Sequence, residues 1–348
     1  MSRKTNVKLS AKRLPRAMVQ CGLMAGFLAF GSAAQAAISF TFDYGTDTGT
    51  GFWDPVDGAT RRAAMDTAST AFADMFASHF SNSATIVLEA TATNLPLSTN
   101  LASAGSNAFG GNGVGFTVNE IVKTKALGGV DPNGSNVDGS VNVNFGQPWH
   151  FDLGSTAPGG DPEDGGKYDF YSTIFHEFTH ALGFSSSIDQ DGSPFFGGTK
   201  AAGEWVTFDQ FLVDKDGNRV VNADGSLNQA VWDAASVGGA SPANGMFFNG
   251  SFAMAANGGL PVGLYTPTSW EGGSSVSHTD DQNPAIYGTM MTAQGPTGPW
   301  PRDYSAIEVA MLRDLGYTAV AAVPEPETYA MMLAGLGLLG WAARRRKA

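Results

Sequence analysis

The side chains that most often hold transition metals are scarce: 348 residues include five histidines and a single cysteine. That cysteine, Cys21, lies in an apolar run near the N-terminus, and Gln20 before it does not suit a lipoprotein site. The rest of the chain therefore has no disulfide, no thiol nucleophile and no thiolate metal ligand. Charge is sparse too, at 15% of residues, and positive charge is concentrated at the ends. Residues 37–322 carry about ten Lys/Arg against about thirty Asp/Glu. A body near −20 argues against nucleic acid as a partner and is compatible with a soluble exported protein. No internal repeat is visible. What is abundant is glycine, at 45 residues, with Asn, Asp, Ser and Thr between apolar runs. That composition points to a loop-rich protein with one substantial core, or two small subdomains sharing a cleft.

The two ends read as addresses. Arg3, Lys4, Lys8, Lys12, Arg13 and Arg16 precede an apolar run over 17–30 and then Ala34-Gln35-Ala36. This is the three-part pattern of a secretory signal peptide over 1–36, with signal peptidase expected to cut before Ala37. An uncleaved membrane anchor fits less well, because the run falls short of the ~20 apolar residues that span a bilayer. At the other end Val323-Pro324-Glu325-Pro326-Glu327 leads into an apolar stretch over 329–343, closed by Arg344, Arg345 and Arg346. Physically this is a short membrane segment with a basic stop on the cytoplasmic side, so transient membrane contact is expected there. The segment 323–348 resembles the PEP-CTERM sorting signal of exopolysaccharide-producing Gram-negative bacteria. The resemblance implies that an exosortase-type enzyme cuts near Pro-Glu-Pro, leaving the body extracellular or on the cell surface, among exopolysaccharide.

Within 37–322, strand-like alternation covers 38–44 and a helical pattern follows over 60–80. Met65, Ala68, Phe72, Met75, Phe76 and His79 share one stripe of that helix. Strand signals recur at 85–92, 115–122 and 140–145 before a Gly/Pro/Asp-rich loop over 154–166. Some ninety residues of hairpins follow the next helix, including an Asp216-Gly217 turn within 208–221. A closing helix over 306–315 has Ser305 and Glu308 as a capping box, Gly316 as its stop, and Ile307, Ala310, Met311 and Leu315 as its buried face. The order reads as an α+β fold with a cleft between two halves, 37–183 and 184–322.

Between the acidic loop and the hairpins runs Tyr171-Ser172-Thr173-Ile174-Phe175-His176-Glu177-Phe178-Thr179-His180-Ala181-Leu182-Gly183. Tyr171, Ile174, Phe175, Phe178 and Leu182 form an apolar stripe at helical spacing, and His176 and His180 lie one turn apart on another face. Two imidazoles can thus converge on one ion. A catalytic zinc takes three protein ligands and keeps a fourth position for water. Glu177, next to the first histidine, can reach that water as general base without competing for the metal. Gly183 supplies the positive φ that a sharp bend after the second ligand requires.

His-Glu-x-x-His-x-x-Gly-Phe resembles the signature of the metzincin zinc metallopeptidases. Most of that family places the third ligand three residues past the glycine, where this chain has Ser186. The leishmanolysin-like branch inserts a long segment there, and the resemblance then points to His278, after about ninety residues. Gly288-Thr289-Met290-Met291-Thr292 resembles the family's methionine turn, with Met291 rather than Met290 as the methionine beneath the metal. The resemblance implies a two-subdomain catalytic domain: a twisted sheet and the active helix above the cleft, an irregular half below it. Glu204 is a rival third ligand by analogy with gluzincins, although no helical pattern surrounds it, and Asp189 is a weaker one. His79 reads as structural, and His150 as a strand end or surface loop.

The expectation is a secreted zinc endopeptidase acting on protein or peptide substrates. The segment 141–145 could present a cleft edge to the substrate, or lie inside the sheet. Calcium is a further candidate ion for the acidic loops 131–138, 161–164 and 214–216, though none completes an EF-hand and solvated turns are the default reading. The competing classes are a non-catalytic, exopolysaccharide-associated surface protein on a peptidase scaffold and a zinc hydrolase with a different substrate.

Overall fold

A computed structural model describes residues 37–154 except 110 and 112, residues 166–320 except 242, and the isolated positions 334–336, 338, 344 and 345. The signal segment 1–36 with Cys21, the acidic stretch 161–164 and nearly all of the sorting segment lie outside the described residues.

The body begins with β1 (Ile38–Asp43), which turns Ile38 and Phe40 inward. It is followed by the long helix α1 (Gly58–His79), and β1 lies parallel to the next strand, β2 (Ala84–Thr93). Strand β2 buries Ile86, Leu88 and Ala90 and leaves Thr85, Glu89 and Thr91 in solvent. This period of two marks a sheet covered on one face only. Strands β3 (Ala102–Ser106) and β4 (Gly139–Asn144) complete it in the order β1-β2-β4-β3, with β3 antiparallel to the rest.

The segment 141–145 is therefore interior, since β4 pairs on both sides. The edge belongs to β3, whose sequence Ala-Ser-Ala-Gly-Ser has no β-branched or aromatic residue and so gave no strand signal. The strand expected at 115–122 is also corrected. Only Asn119–Glu120 pairs as a strand, and Ile121–Gly128 forms a helix, α2, ended by Gly129 at φ +64°. The β-branched pair Ile121-Val122 at its start imitates a strand, but the cap decides the outcome.

Helix α1 packs on the sheet through Met65, Ala68, Phe72 and Phe76. Ser69 in the same stripe donates to the Phe40 carbonyl at 2.6 Å and accepts its amide at 2.8 Å, so its burial is satisfied. Beside α1 lies α3 (Phe170–Ala181), where Phe178 stacks on Phe40 with 4.0 Å between centroids and Phe72 meets Phe175 edge-on at 5.5 Å. Asp169 caps its first turn, accepting from the amides of Tyr171 and Ser172 at 3.0 and 3.2 Å. Arg302 grips the same carboxylate twice, at 2.8 and 3.0 Å.

The hairpins beyond α3 bury Trp205, Phe208, Trp232 and Phe248 and contain a small sheet of β5 (Leu212–Asp214), β6 (Met246–Phe248) and β7 (Val262–Gly263). The closing helix, α4 (Ala306–Asp314), starts with the predicted Ser305/Glu308 capping box, and Gly316 follows at φ +110°. After α4 the chain is zipped to the end of α1, with Ser81 N donating to Thr318 O at 2.8 Å and Val320 N to His79 O at 2.9 Å. The architecture is α+β.

Candidate metal centre

Helix α3 places His176 and His180 one turn apart, and the returning chain brings His278 to them. The three Nε2 atoms lie 2.9, 3.0 and 3.0 Å from one another. Each Nδ1 faces a main-chain carbonyl: His176 that of Met290 at 2.7 Å, His180 that of Phe184 at 2.7 Å, and His278 that of Ser274 at 2.8 Å. A carbonyl only accepts, so every Nδ1 carries the proton and every Nε2 of a neutral ring presents its lone pair. Burial keeps the rings neutral. It lowers His176 to about 4, and burial together with the charge of His176 lowers His278 to about 3. His180 is lowered well below the usual value by burial first and then by the other two rings.

Three converging lone pairs with no proton to share repel one another unless a cation lies between them. This donor set could hold a metal ion, and an all-imidazole set is of a kind that zinc accepts. Carbonyls holding the distal ring nitrogens are the second layer that orients metal-binding histidines.

Glu177 is 6% exposed, and its carboxyl accepts the Ala104 amide of β3. Burial pushes it up to about 8, with that hydrogen bond opposing. In an antiparallel ladder, residues alternate between facing the partner strand and facing away. Asn144 N donates to Leu101 O and Asn107 N to Asp138 O, which sets the phase. Ala102 and Ala104 therefore turn their main-chain groups away from β4, and those of Ala104 toward the side where Glu177 lies.

Gly183 ends the helix at φ +95°. A Cβ there would sit 2.9 Å from Glu120 Oε1 and 3.2 Å from Lys123 Cδ, so only glycine fits both the conformation and the space. Lys123 pairs with Glu120 in the interior and donates to Thr207 Oγ1 at 2.6 Å, while Tyr317 OH caps the Leu182 carbonyl at 2.8 Å. This buried ion pair beneath the turn had no recognisable signal in the sequence.

Ser186 donates to Asp209 Oδ1 at 2.7 Å, and Ser187 Oγ to Asp209 Oδ2 at 2.6 Å. Asp209 is buried, which raises its carboxyl to about 6 against the pull of those donors. His278 is delivered by a strained backbone. Val276 at φ +67° is the only non-glycine with positive φ among the described residues, a costly state for a β-branched side chain. Val276 N donates to Tyr265 O and Tyr265 N to His278 O, at 2.8 and 2.9 Å.

Met290 and Met291 are both buried, and Thr279 N donates to Met291 O at 2.9 Å. Among the described residues, the one group of three or more His/Cys/Asp/Glu close enough to share an ion is His176, His180 and His278; neither Glu204 nor Asp189 joins it. Glu204 instead accepts the Gly111 amide at 2.9 Å, and Asp189 closes a turn with Gly192 and Ser193. His79 pairs with Asp303 at 2.7 Å, and His150 lies in the two-residue strand Trp149–His150. Of the acidic loops, Asp131 and Asp138 share Lys125 at 2.9 and 3.0 Å, and Asp214 accepts the amides of Asp216 and Asn218.

Among the described residues no helix is long and apolar enough to cross a membrane. No curated protein and no solved structure matches the chain. The PEP-CTERM protein-sorting motif matches residues 322–347, so the chain carries at its C-terminus the mark of an exported Gram-negative protein handled by an exosortase-type sorting enzyme.

Proposed function

We propose that this chain is an exported zinc endopeptidase of the metzincin kind, with the long leishmanolysin-like insertion before its third ligand. The observation that carries the reading is the convergence of three Nε2 lone pairs, each fixed by a carbonyl behind it, next to a buried glutamate at an open strand edge. His176, His180 and His278 would hold the ion. Zinc in that position supplies a water acidified toward pKa ~7, polarisation of a substrate carbonyl, and a positive charge that favours the ionised form of Glu177.

Glu177 takes a proton from the attacking water and returns it to the leaving amine. The main-chain groups of β3 that face away from β4 can pair with an extended peptide, binding it without regard to most of its sequence. Ala104 belongs to both arrangements, because its amide steadies Glu177 while its strand borders the substrate. The Gly183 bend and buried Phe184 hold in place the Phe184 carbonyl that accepts His180 Nδ1. The sorting motif supports an exported setting for this activity.

Casein or gelatin hydrolysis, abolished by a chelator and restored by zinc, tests the reading. Glu177→Gln should retain one zinc per chain and lose about 10²–10⁴-fold in turnover. Loss of the metal in that variant would contradict the assigned role. Zinc binding without hydrolysis of any peptide would favour the non-catalytic or non-peptide alternative.

A further inference from the structure

We infer that Glu308 is a positioning residue for the metal centre, holding the methionine turn against α4 so that the turn can fix His176. The inference rests on the reading of the histidine triad as a metal site.

An ordinary capping box needs one carboxylate oxygen of the third helical residue; the other is left to solvent. In α4 the box is closed by Ser305 N donating to Glu308 Oε2 at 2.7 Å and Glu308 N donating to Ser305 Oγ at 3.2 Å. The second oxygen is not in water. Glu308 is 0% exposed, and its Oε1 accepts the Met291 amide at 2.6 Å, from a residue seventeen positions earlier.

The turn gripped in this way touches one of the three ligands and the chain neighbour of a second. The Met290 carbonyl, in the same peptide unit as the gripped amide, accepts His176 Nδ1 at 2.7 Å. The Met291 carbonyl accepts the amide of Thr279, the residue after His278, at 2.9 Å. Glu308 therefore anchors a hub from which one ligand is aimed directly and another through its neighbour. A carboxylate buried without solvent is costly, and helix capping alone does not need it there, since a surface cap provides the same bond at less cost. The placement makes sense if the turn must be held.

The test uses the full body with three variants: Glu308→Gln, which keeps the shape but offers a donor where one of its two amides needs an acceptor; Glu308→Asp, which keeps the charge and the cap but falls short of Met291; and Ser305→Ala, which weakens the cap and leaves the Met291 contact. Zinc affinity is read by chelator competition and the site's geometry by the visible spectrum of the cobalt-substituted protein. Both Glu308 variants should lose on the order of 10–100-fold in zinc affinity and change the cobalt spectrum. Ser305→Ala should lower the melting temperature of the metal-free protein and leave affinity and spectrum as in the parent. Should Glu308→Gln fail to fold, Glu308→Asp carries the comparison. Parental affinity and spectrum in the folded Glu308 variants overturn the inference, as does an equal loss in Ser305→Ala. A parent chain that binds no zinc overturns the underlying reading instead.

Discussion

Ser186 lies three residues past Gly183, and its hydroxyl is committed to Asp209. Ser186, Ser187 and Asp209 thus form a largely buried polar knot just past the bend at Gly183. Its energetics depend on pH. The Asp209 carboxyl titrates near 3.8 in an unfolded chain and at about 6 in the fold, because burial penalises the charged form. Between those values the folded state keeps a proton that the unfolded state releases, so this residue's contribution to stability is full below 3.8 and lost as pH rises through 6. Asp209→Asn, which cannot ionise, should cost more stability at pH 4 than at pH 7, the gap closing by roughly 1–3 kcal/mol. Urea unfolding at the two values measures this, and a penalty that grows with pH would contradict the assignment.

Among the elements, the histidine-bearing helix α3 and the closing helix α4 were readable in the sequence because several local signals agree at each. Helix α3 has an apolar stripe, a histidine pair at turn spacing and a terminal glycine, and α4 has a capping box and a stop. Strand β3 was not readable, since five small residues have no strand preference and are ordered only by pairing with β4. The orienting carbonyls of Phe184, Ser274 and Met290 were equally hidden, because a main-chain oxygen has no residue type to announce it. The place of β3 depends on Gly139, where a Cβ would collide with the Gly105 carbonyl and lie 3.1 Å from Leu88 Cδ2. Gly139→Val should push β3 from β4 and move Ala104 relative to Glu177. Peptide turnover should fall on the order of 10²-fold while zinc stoichiometry stays at one. Unchanged turnover would remove β3 from the site.

At the scale of the molecule, the segment that follows α4 closes on the end of α1. Thr318 and Val320 bond to Ser81, Asn82 and His79, and Tyr317 packs edge-on to Phe76 with centroids 5.7 Å apart while capping Leu182. These contacts all lie before residue 322, so removal of the sorting segment leaves them intact. A body ending at residue 322 should melt within about 2 °C of the chain that retains the segment. A fall of more than about 5 °C would mean that the segment contributes to the fold. The long excursion between α3 and His278 makes a further demand on the whole molecule, because the third imidazole arrives only if the hairpin layer, the strained Val276 and the methionine turn are all in place. The most direct measurement is therefore the zinc affinity of the purified body beside those of His278→Ala and Glu204→Ala. One zinc per chain is expected for the parent and Glu204→Ala at equal affinity, with His278→Ala weaker by at least about 10²-fold. Equal binding by His278→Ala, or loss of zinc in Glu204→Ala alone, would contradict a centre built on the three histidines.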